Sequence, residues 1–576
     1  MSRSAVVSRR SWIIGVIAIL AVGLTLRALW LRADPPVTSV GIVWHDEGAW
    51  THNARNLALW GTTKTDNWNP VYIAPVFTAL EYGSFAVFGV GTWQARVVPV
   101  ASGLAAIVLL MAGLNAIGGR RAARVGGILL ATNYWFVMWN RAALMESTMT
   151  AFIVAGWAAY AMSDRRPAWA AVAGVCAALA FFTKAAAAFF IAAIVLDAAL
   201  SFALRKRRRA SFYDLRKTTP DVVLIVSLAA AFGLAAIFVI PEWSEYYRYN
   251  WLTAVERKPS YTMAALIDRA SWLPVAQDFF SRIWLVVLGA SVGLLSIAAR
   301  YPKAGPGERL LVLWFVIGLA ELVTHDTGNA RRYVMFIPAL IALASLAVTT
   351  ERPWFGVAVA AASRRMRWLA LPLVLLVGYI VFGSLIRVPF AAEVEVGIYR
   401  TTVRLAAALA VVFSVILVWR WSAVIGLLSR IRVSSGALAV LVVVSLAWNG
   451  GQYVSWAAGR TDLNYRASVA VGQALPPGTL VQGKLANGLA LENRIRPIFV
   501  GRGFGNYEDR LRREDVGYIL TYVLPSVGYE SQAGSGLIQE ILDRYPDRRA
   551  IASFDVQETP GPDRAELIQK HGRARN

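Results

Sequence analysis

The sequence predicts a polytopic α-helical membrane protein with a small α/β unit at its C-terminal end. Three observations predict this. The 576 residues are 57% hydrophobic and 16% charged, more apolar and less charged than soluble domains. The apolar residues fall in long runs, many approaching the roughly 20 residues that a helix needs to cross a bilayer. After Tyr453 the runs give way to short apolar stretches alternating with charged, helix-like ones, the pattern of strands and helices in packed layers.

Charge fixes the orientation. Lys and Arg number 58 against 35 Asp and Glu, a formal net charge of +23. In a soluble protein that excess would suggest nucleic acid, but no nucleic-acid or zinc motif is present. The basic residues gather between apolar runs, at Arg120-Arg121-Ala122-Ala123-Arg124, Asp164-Arg165-Arg166, Arg205 to Arg209, Arg300 to Arg309, Arg364 to Arg367 and Arg430-Ile431-Arg432. This is the positive-inside pattern, which assigns these loops and the N-terminus to the cytoplasm. The single cysteine, Cys176, excludes an intramolecular disulfide. The first run, Trp12 to Leu31, follows Arg3, Arg9 and Arg10 as in a signal peptide. It extends without a small-residue cleavage site and reads as a retained span.

Taken in order, runs at 12–31, 73–90 and 97–116 precede the Arg120 cluster. Three crossings from a cytoplasmic start would put that cluster outside, so one run does not cross. Tyr72 to Val90, with Pro75, Glu81 and Gly83, is the weakest and reads as interfacial or re-entrant helices. The remaining spans, 12–31, 97–116, 124–139, 147–162, 167–183, 186–204, 221–240, 282–300, 309–324, 333–349, 368–386, 403–420 and 434–453, give about thirteen crossings. They form a membrane domain over 1–453, with an extracytoplasmic α/β domain over 454–576. In the latter, strands are expected at Thr479 to Gln482, Arg496 to Val500, Gly517 to Tyr522 and Ala550 to Val556, in a largely parallel sheet. Helices are expected over Tyr507 to Asp515 and Leu537 to Tyr545. Gly501-x-Gly503-x-Gly505 lacks the spacing of a nucleotide fingerprint.

Four regions share the outer side: the loop from Arg32 to Gln94, the turn Asn140 to Glu146, the aromatic loop Pro241 to Ser281, and His325 to Tyr333. In the first, His45-Asp46-Glu47 sets two adjacent carboxylates just beyond a span, where desolvation makes acids costly. A hydrated loop with ordinary acids is one reading; a base for an acceptor hydroxyl is the other. His45 and His325 read as polar loop residues rather than metal ligands. A divalent metal is possible but no spacing indicates one.

Five features in order carry a resemblance. Asp46-Glu47 is followed by Trp50 and Ala54-Arg55. Asn69-Pro70-Val71-Tyr72 is followed by Phe88-Gly89 and Arg96. Arg141 precedes Glu146 by five residues, Thr183-Lys184 closes a span at its outer end, and Arg331-Arg332-Tyr333 with Pro338 opens a late one. Together these resemble membrane glycosyltransferases of the GT-C fold, specifically the group of protein O-mannosyltransferases and lipid A aminoarabinose transferases. Ala49 and Asn69 stand where the aminoarabinose transferases carry Arg and Lys, and the first loop has no Asp-x-Asp.

The resemblance implies sugar transfer from a polyprenyl-phosphate donor at the outer face of the cell membrane, to an acceptor lipid, protein or glycan, and no nucleic-acid partner. It implies Asp46 as base and Glu47 as its neighbour, holding the acceptor or tuning Asp46. The leaving phosphate needs cations, for which Arg55, Arg141, Lys184, Arg331 and Arg332 are the candidates. Glu146 and Tyr333 are expected to position substrate. The alternative is a transporter or flippase of lipid-linked sugars, which would need acids or broken helices at mid-membrane.

Overall fold

The structure is a computed structural model that describes residues 9–36, 42, 44–163, 165–207, 215–244, 279–325, 330–350, 364–390, 396–428, 430, 433–501, 505–523, 537–557 and 563–571. Most of the aromatic loop (245–278), residues 326–329, and Gly503 of the glycine run lie outside the described residues.

Helices dominate up to residue 474. They are α1 (Arg9–Ala28), α2 (Asp46–Trp60), α3 (Pro70–Ile73), α4 (Pro75–Phe88), α5 (Thr92–Thr132), α6 (Tyr134–Trp139), α7 (Met145–Met162), α8 (Ala168–Thr183), α9 (Ala188–Arg207), α10 (Leu215–Val239), α11 (Trp284–Ala299), α12 (Pro306–His325), α13 (Ile337–Thr349), α14 (Arg364–Arg387), α15 (Val396–Trp419), α16 (Trp421–Leu428), α17 (Ser435–Ala458) and α18 (Leu463–Ala474). Among the described residues, eight helical stretches are long and apolar enough to cross a membrane, and α8 and α11 are shorter apolar helices.

The expected spans 97–116 and 124–139 meet inside α5. Gly119, at φ +77°, breaks the helix there beside the Arg120 cluster. That left-handed conformation is open to glycine at little cost and to other residues only with strain. The disputed run 73–90 forms α3 and α4, each opened by a proline. With 14 residues, α4 is about 21 Å long, short of the ~30 Å hydrocarbon core.

Buried polar groups pin helix ends. Arg141 donates from Nη1 to the carbonyls of Leu26, Arg27 and Leu29 and from Nη2 to that of Trp30, at 2.6–3.2 Å. These carbonyls lie in the last turn of α1 and just beyond it, where helical partners run out. Towards the opposite end of the bundle, Asp197 of α9 accepts both arms of Arg309 at 2.8 and 2.9 Å and the hydroxyls of Tyr160 and Tyr301.

Beyond α18, strands β1 (Leu480–Gln482), β2 (Arg496–Ile498), β3 (Tyr518–Tyr522), β4 (Arg548–Val556) and β5 (Asp563–Lys570) form one sheet in the order β2-β1-β3-β5-β4. The short helices α19 (Lys484–Gly488) and α20 (Leu537–Arg544) accompany it. The expected largely parallel sheet is corrected to a mixed one. β1 runs parallel to β2 and β3, while β5, unforeseen, runs antiparallel between β3 and β4. The helix expected over 507–515 is a series of turns. There the backbone closes i,i+3 turns, Arg512 N–H to Asp509 and Val516 N–H to Arg513, and Arg513 pairs with Asp509 and Asp515.

The sheet unit docks on the first loop. A Cβ on Gly48 would lie 1.7 Å from the Asn487 carbonyl oxygen, so only glycine admits α19 this close to α2. Trp68 stacks on Phe499 at 4.6 Å. Asp34 accepts hydrogen bonds from the Leu463 and Asn464 amides and the Thr461 hydroxyl, capping α18 from a distant loop.

Candidate active site

Asp46 and Glu47 open α2, where the amide dipoles of the first turn favour negative charge. Both are buried, and they have different partners. Glu47 is clamped by Arg96, whose Nε and Nη2 reach its two oxygens at 2.8 and 2.7 Å, and its Oε1 also accepts the Ala143 amide at 2.6 Å. The Nη1 of Arg96 holds the Leu31 and Ala33 carbonyls. Glu47 thus joins α2, α5 and the turn before α7.

Asp46 turns the other way. Its Oδ2 accepts from Arg331 Nη1 at 2.7 Å, and its Oδ1 lies 3.7 Å from His45 Nε2. The Nε of Arg331 is 3.6 Å from Glu146 Oε1, and that same oxygen accepts from Lys184 Nζ. Asp46, Arg331, Glu146 and Lys184 therefore form one continuous ionic chain. It is assembled from the first turn of α2, the 3₁₀ segment Ala330–Phe336 before α13, the first turn of α7 and the residue after α8. Glu146 is 1% exposed, yet its Oε2 has no hydrogen-bond partner among the described residues. Beside the chain, Arg332 donates to Glu321 of α12.

Other expected residues lie elsewhere. Arg55 is 1% exposed and donates to the carbonyls of Ala490, Asn493 and Ile495, so it binds the sheet unit. Burial pushes its guanidinium down to about 9. Arg141 serves α1 and stacks on Trp456 at 4.7 Å; burial pushes it down to about 10. Arg141 thus ties down the end of α1 and Arg55 ties the sheet unit to α2, although Arg55 Nη1 has no hydrogen-bond partner among the described residues. Tyr333 is fully buried among Phe279, Phe280 and Phe336. The His325 side chain lies outside the described residues. The Tyr522 hydroxyl of the sheet unit comes within 3.3 Å of His45 Nδ1.

Sequence reasoning missed Glu321, an acid inside an apolar run, which was its available signal. It also missed the buried pair His52–Asp66, 2.8 Å apart, whose members look like ordinary loop residues. Glu81 of α4 was noted only as a charge in a weak span. It is fully buried, and neither carboxyl oxygen has a hydrogen-bond partner among the described residues. Burial, and after it the charge of Glu47, holds it well above the ordinary carboxylate range. Among the described residues no group of three or more His, Cys, Asp and Glu side chains gathers to hold a metal ion.

Comparison with solved structures decides the fold. ArnT from Cupriavidus metallidurans in the apo state aligns over 97% of this chain and 98% of its own, with TM-score 0.50 and 15% identity. The fold is that of the GT-C membrane glycosyltransferases. The Archaeoglobus fulgidus oligosaccharyltransferase in its apo form aligns over 94% of this chain and 73% of its own, with TM-score 0.52 and 12% identity. Residues 72–232 of this chain match the family model described as dolichyl-phosphate-mannose-protein mannosyltransferase. No curated protein matches it by sequence. With eight helices among the described residues long and apolar enough to cross a bilayer, the chain is a multi-pass membrane protein.

Proposed function

We propose that the chain moves a sugar from a polyprenyl-phosphate-linked donor to an acceptor hydroxyl at the extracytoplasmic face of the cell membrane. The observation that carries this reading is the ionic chain Asp46–Arg331–Glu146–Lys184, which sets a carboxylate beside two cations. The match to a family named for dolichyl-phosphate-mannose as donor supports the donor class.

In this reading Lys184 and Arg331, with Arg332 beside them, take the donor phosphate. The phosphate competes with Asp46 for Arg331, so donor binding releases Asp46. The acceptor oxygen then attacks the anomeric carbon and gives its proton to Asp46. The bond from the anomeric carbon to the phosphate oxygen breaks, and its electron pair leaves with the polyprenyl phosphate, held by the same cations. One displacement inverts the anomeric centre. Glu146 holds Lys184 and Arg331 in place and offers Oε2 to the substrate, and Glu47 fixes the start of α2 through Arg96.

A transporter would work through acids deep in the spans. Asp197, a fully buried acid of α9, is already engaged by Arg309, Tyr160 and Tyr301. The experiment gives purified protein in vesicles a labelled polyprenyl-phosphate sugar and a hydroxyl acceptor. Label appearing in the acceptor supports transfer, whereas movement of intact donor across the bilayer without transfer overturns it.

A further inference from the structure

Away from the ionic chain, a cavity of about 620 Å³ opens between α6, the start of α11, α17 and the loop carrying Asp34. Among the described residues its wall carries two arginines and one acid. Arg282 is 8% exposed and lies over the Trp135 ring at 4.8 Å; Arg460 lies over Trp30 at 4.0 Å. The guanidinium of Arg141 backs Trp456, another wall residue, at 4.7 Å. The acid in the wall, Asp34, already accepts three hydrogen bonds as the cap of α18. Trp135 is 1% exposed, and its indole N–H has no hydrogen-bond partner among the described residues.

A second cavity, about 210 Å³, lies on the same walls one helical turn further into the bundle, with α13 closing it. On α17, Trp448 of the upper cavity is followed by Ser445 and Leu441 of the lower one; Arg282, two residues before α11, is followed by Leu285 and Val286 on that helix. Apart from Ser445, every residue lining the lower cavity is apolar. A basic, tryptophan-lined chamber at the level of the helix ends, above an apolar slot, matches a lipid with an anionic head. Asp46, Glu146, Lys184 and Arg331 line neither cavity.

We propose that these two cavities form a binding site for an anionic membrane lipid, its head group held by Arg282 and Arg460 and a hydrocarbon chain in the slot between α5, α11, α13 and α17. This site is separate from the one where transfer takes place, and it does not rest on the transfer reading. A lipid seated there touches α17 and the Asp34 loop together, and so braces the junction from which α18 and the sheet unit depart.

Native mass spectrometry of the full-length protein, titrated with phosphatidylglycerol and with phosphatidylcholine of the same chains, tests this. Phosphatidylglycerol should bind at one site at least about tenfold more tightly, the size of one charge-assisted hydrogen bond. The double substitution Arg282→Gln and Arg460→Gln should abolish that preference. Gly451→Leu, at a wall position where a Cβ meets no atom within 4 Å, should narrow the chamber and weaken both lipids. Lys184→Ala should leave phosphatidylglycerol binding unchanged. Equal binding of the two lipids, full binding by Gly451→Leu, or loss with Lys184→Ala overturns the site. Displacement of the lipid by millimolar inorganic phosphate also overturns it, as a soluble-anion site.

Discussion

Arg331 is the residue on which the site turns, because it touches both Asp46 and Glu146. With Lys184 it supplies the positive charge that a phosphate would meet. Replacing either Lys184 or Arg331 with Ala should weaken donor binding by about 10–100-fold, as expected for losing a hydrogen bond between charged groups. Arg141→Ala should instead lower the thermal midpoint and leave donor affinity alone, since Arg141 serves the carbonyls of α1. Donor titrations beside thermal melts separate the two behaviours; equal loss of donor affinity in Arg141→Ala would restore it to the site. Glu81 makes a pH prediction. Its folded pKa is raised well above 4.5, so the folded protein holds this proton more tightly than the unfolded chain. Below 4.5 both states are protonated and nothing is lost; as pH rises through the raised value, stability falls. Glu81→Gln should flatten that decline, with its stability advantage growing from pH 5 upward. Parallel melting curves against pH for the two proteins would show that Glu81 is not the group responsible.

At the level of elements, the long apolar helices were legible because a bilayer demands runs of fixed length, and the breaks between them because charge and glycine interrupt those runs. The break between α3 and α4 was legible through its prolines, and the charge in that run is the same Glu81 that lies buried. Two things were not. The sheet was read as largely parallel because Asp563–Lys570 carries only three apolar residues among eight, too few to signal a strand that lies between two others. The docking of the sheet unit on α2 was invisible, because it depends on backbone carbonyls, which every residue has. Arg55 reaches the carbonyl of Ala490, 435 positions away, and no feature of either residue announces it. Arg55→Ala leaves three carbonyls without that donor, two of them in buried bonds, a cost of about 1–3 kcal/mol for each buried one where water does not replace it. Limited proteolysis should then cut the variant faster between α18 and β5 than the parent. An unchanged digestion pattern would mean that Gly48, Trp68 and Asp34 hold the unit without it.

For the whole molecule, the account requires that Asp46, Lys184, Arg331 and the sheet unit share the outer side, opposite the basic loops. A reporter fused after Gly118 should be cytoplasmic and one after Gly561 outside. Accessibility of Arg205 to Arg209 only from outside would invert every assignment. The ionic chain itself was legible only as separate residue types near span ends; Asp46 and Arg331 stand 285 positions apart, and folding alone makes them partners. The central claim is that Asp46 removes the acceptor proton, and the most direct test is single-turnover transfer by Asp46→Asn at saturating donor. Asn keeps the size of the side chain but cannot take the proton, so the rate should fall by about 10²–10⁴ with donor affinity little changed and with inverted anomeric configuration in the parent's product. A rate near that of the parent, or a product of retained configuration, would contradict it.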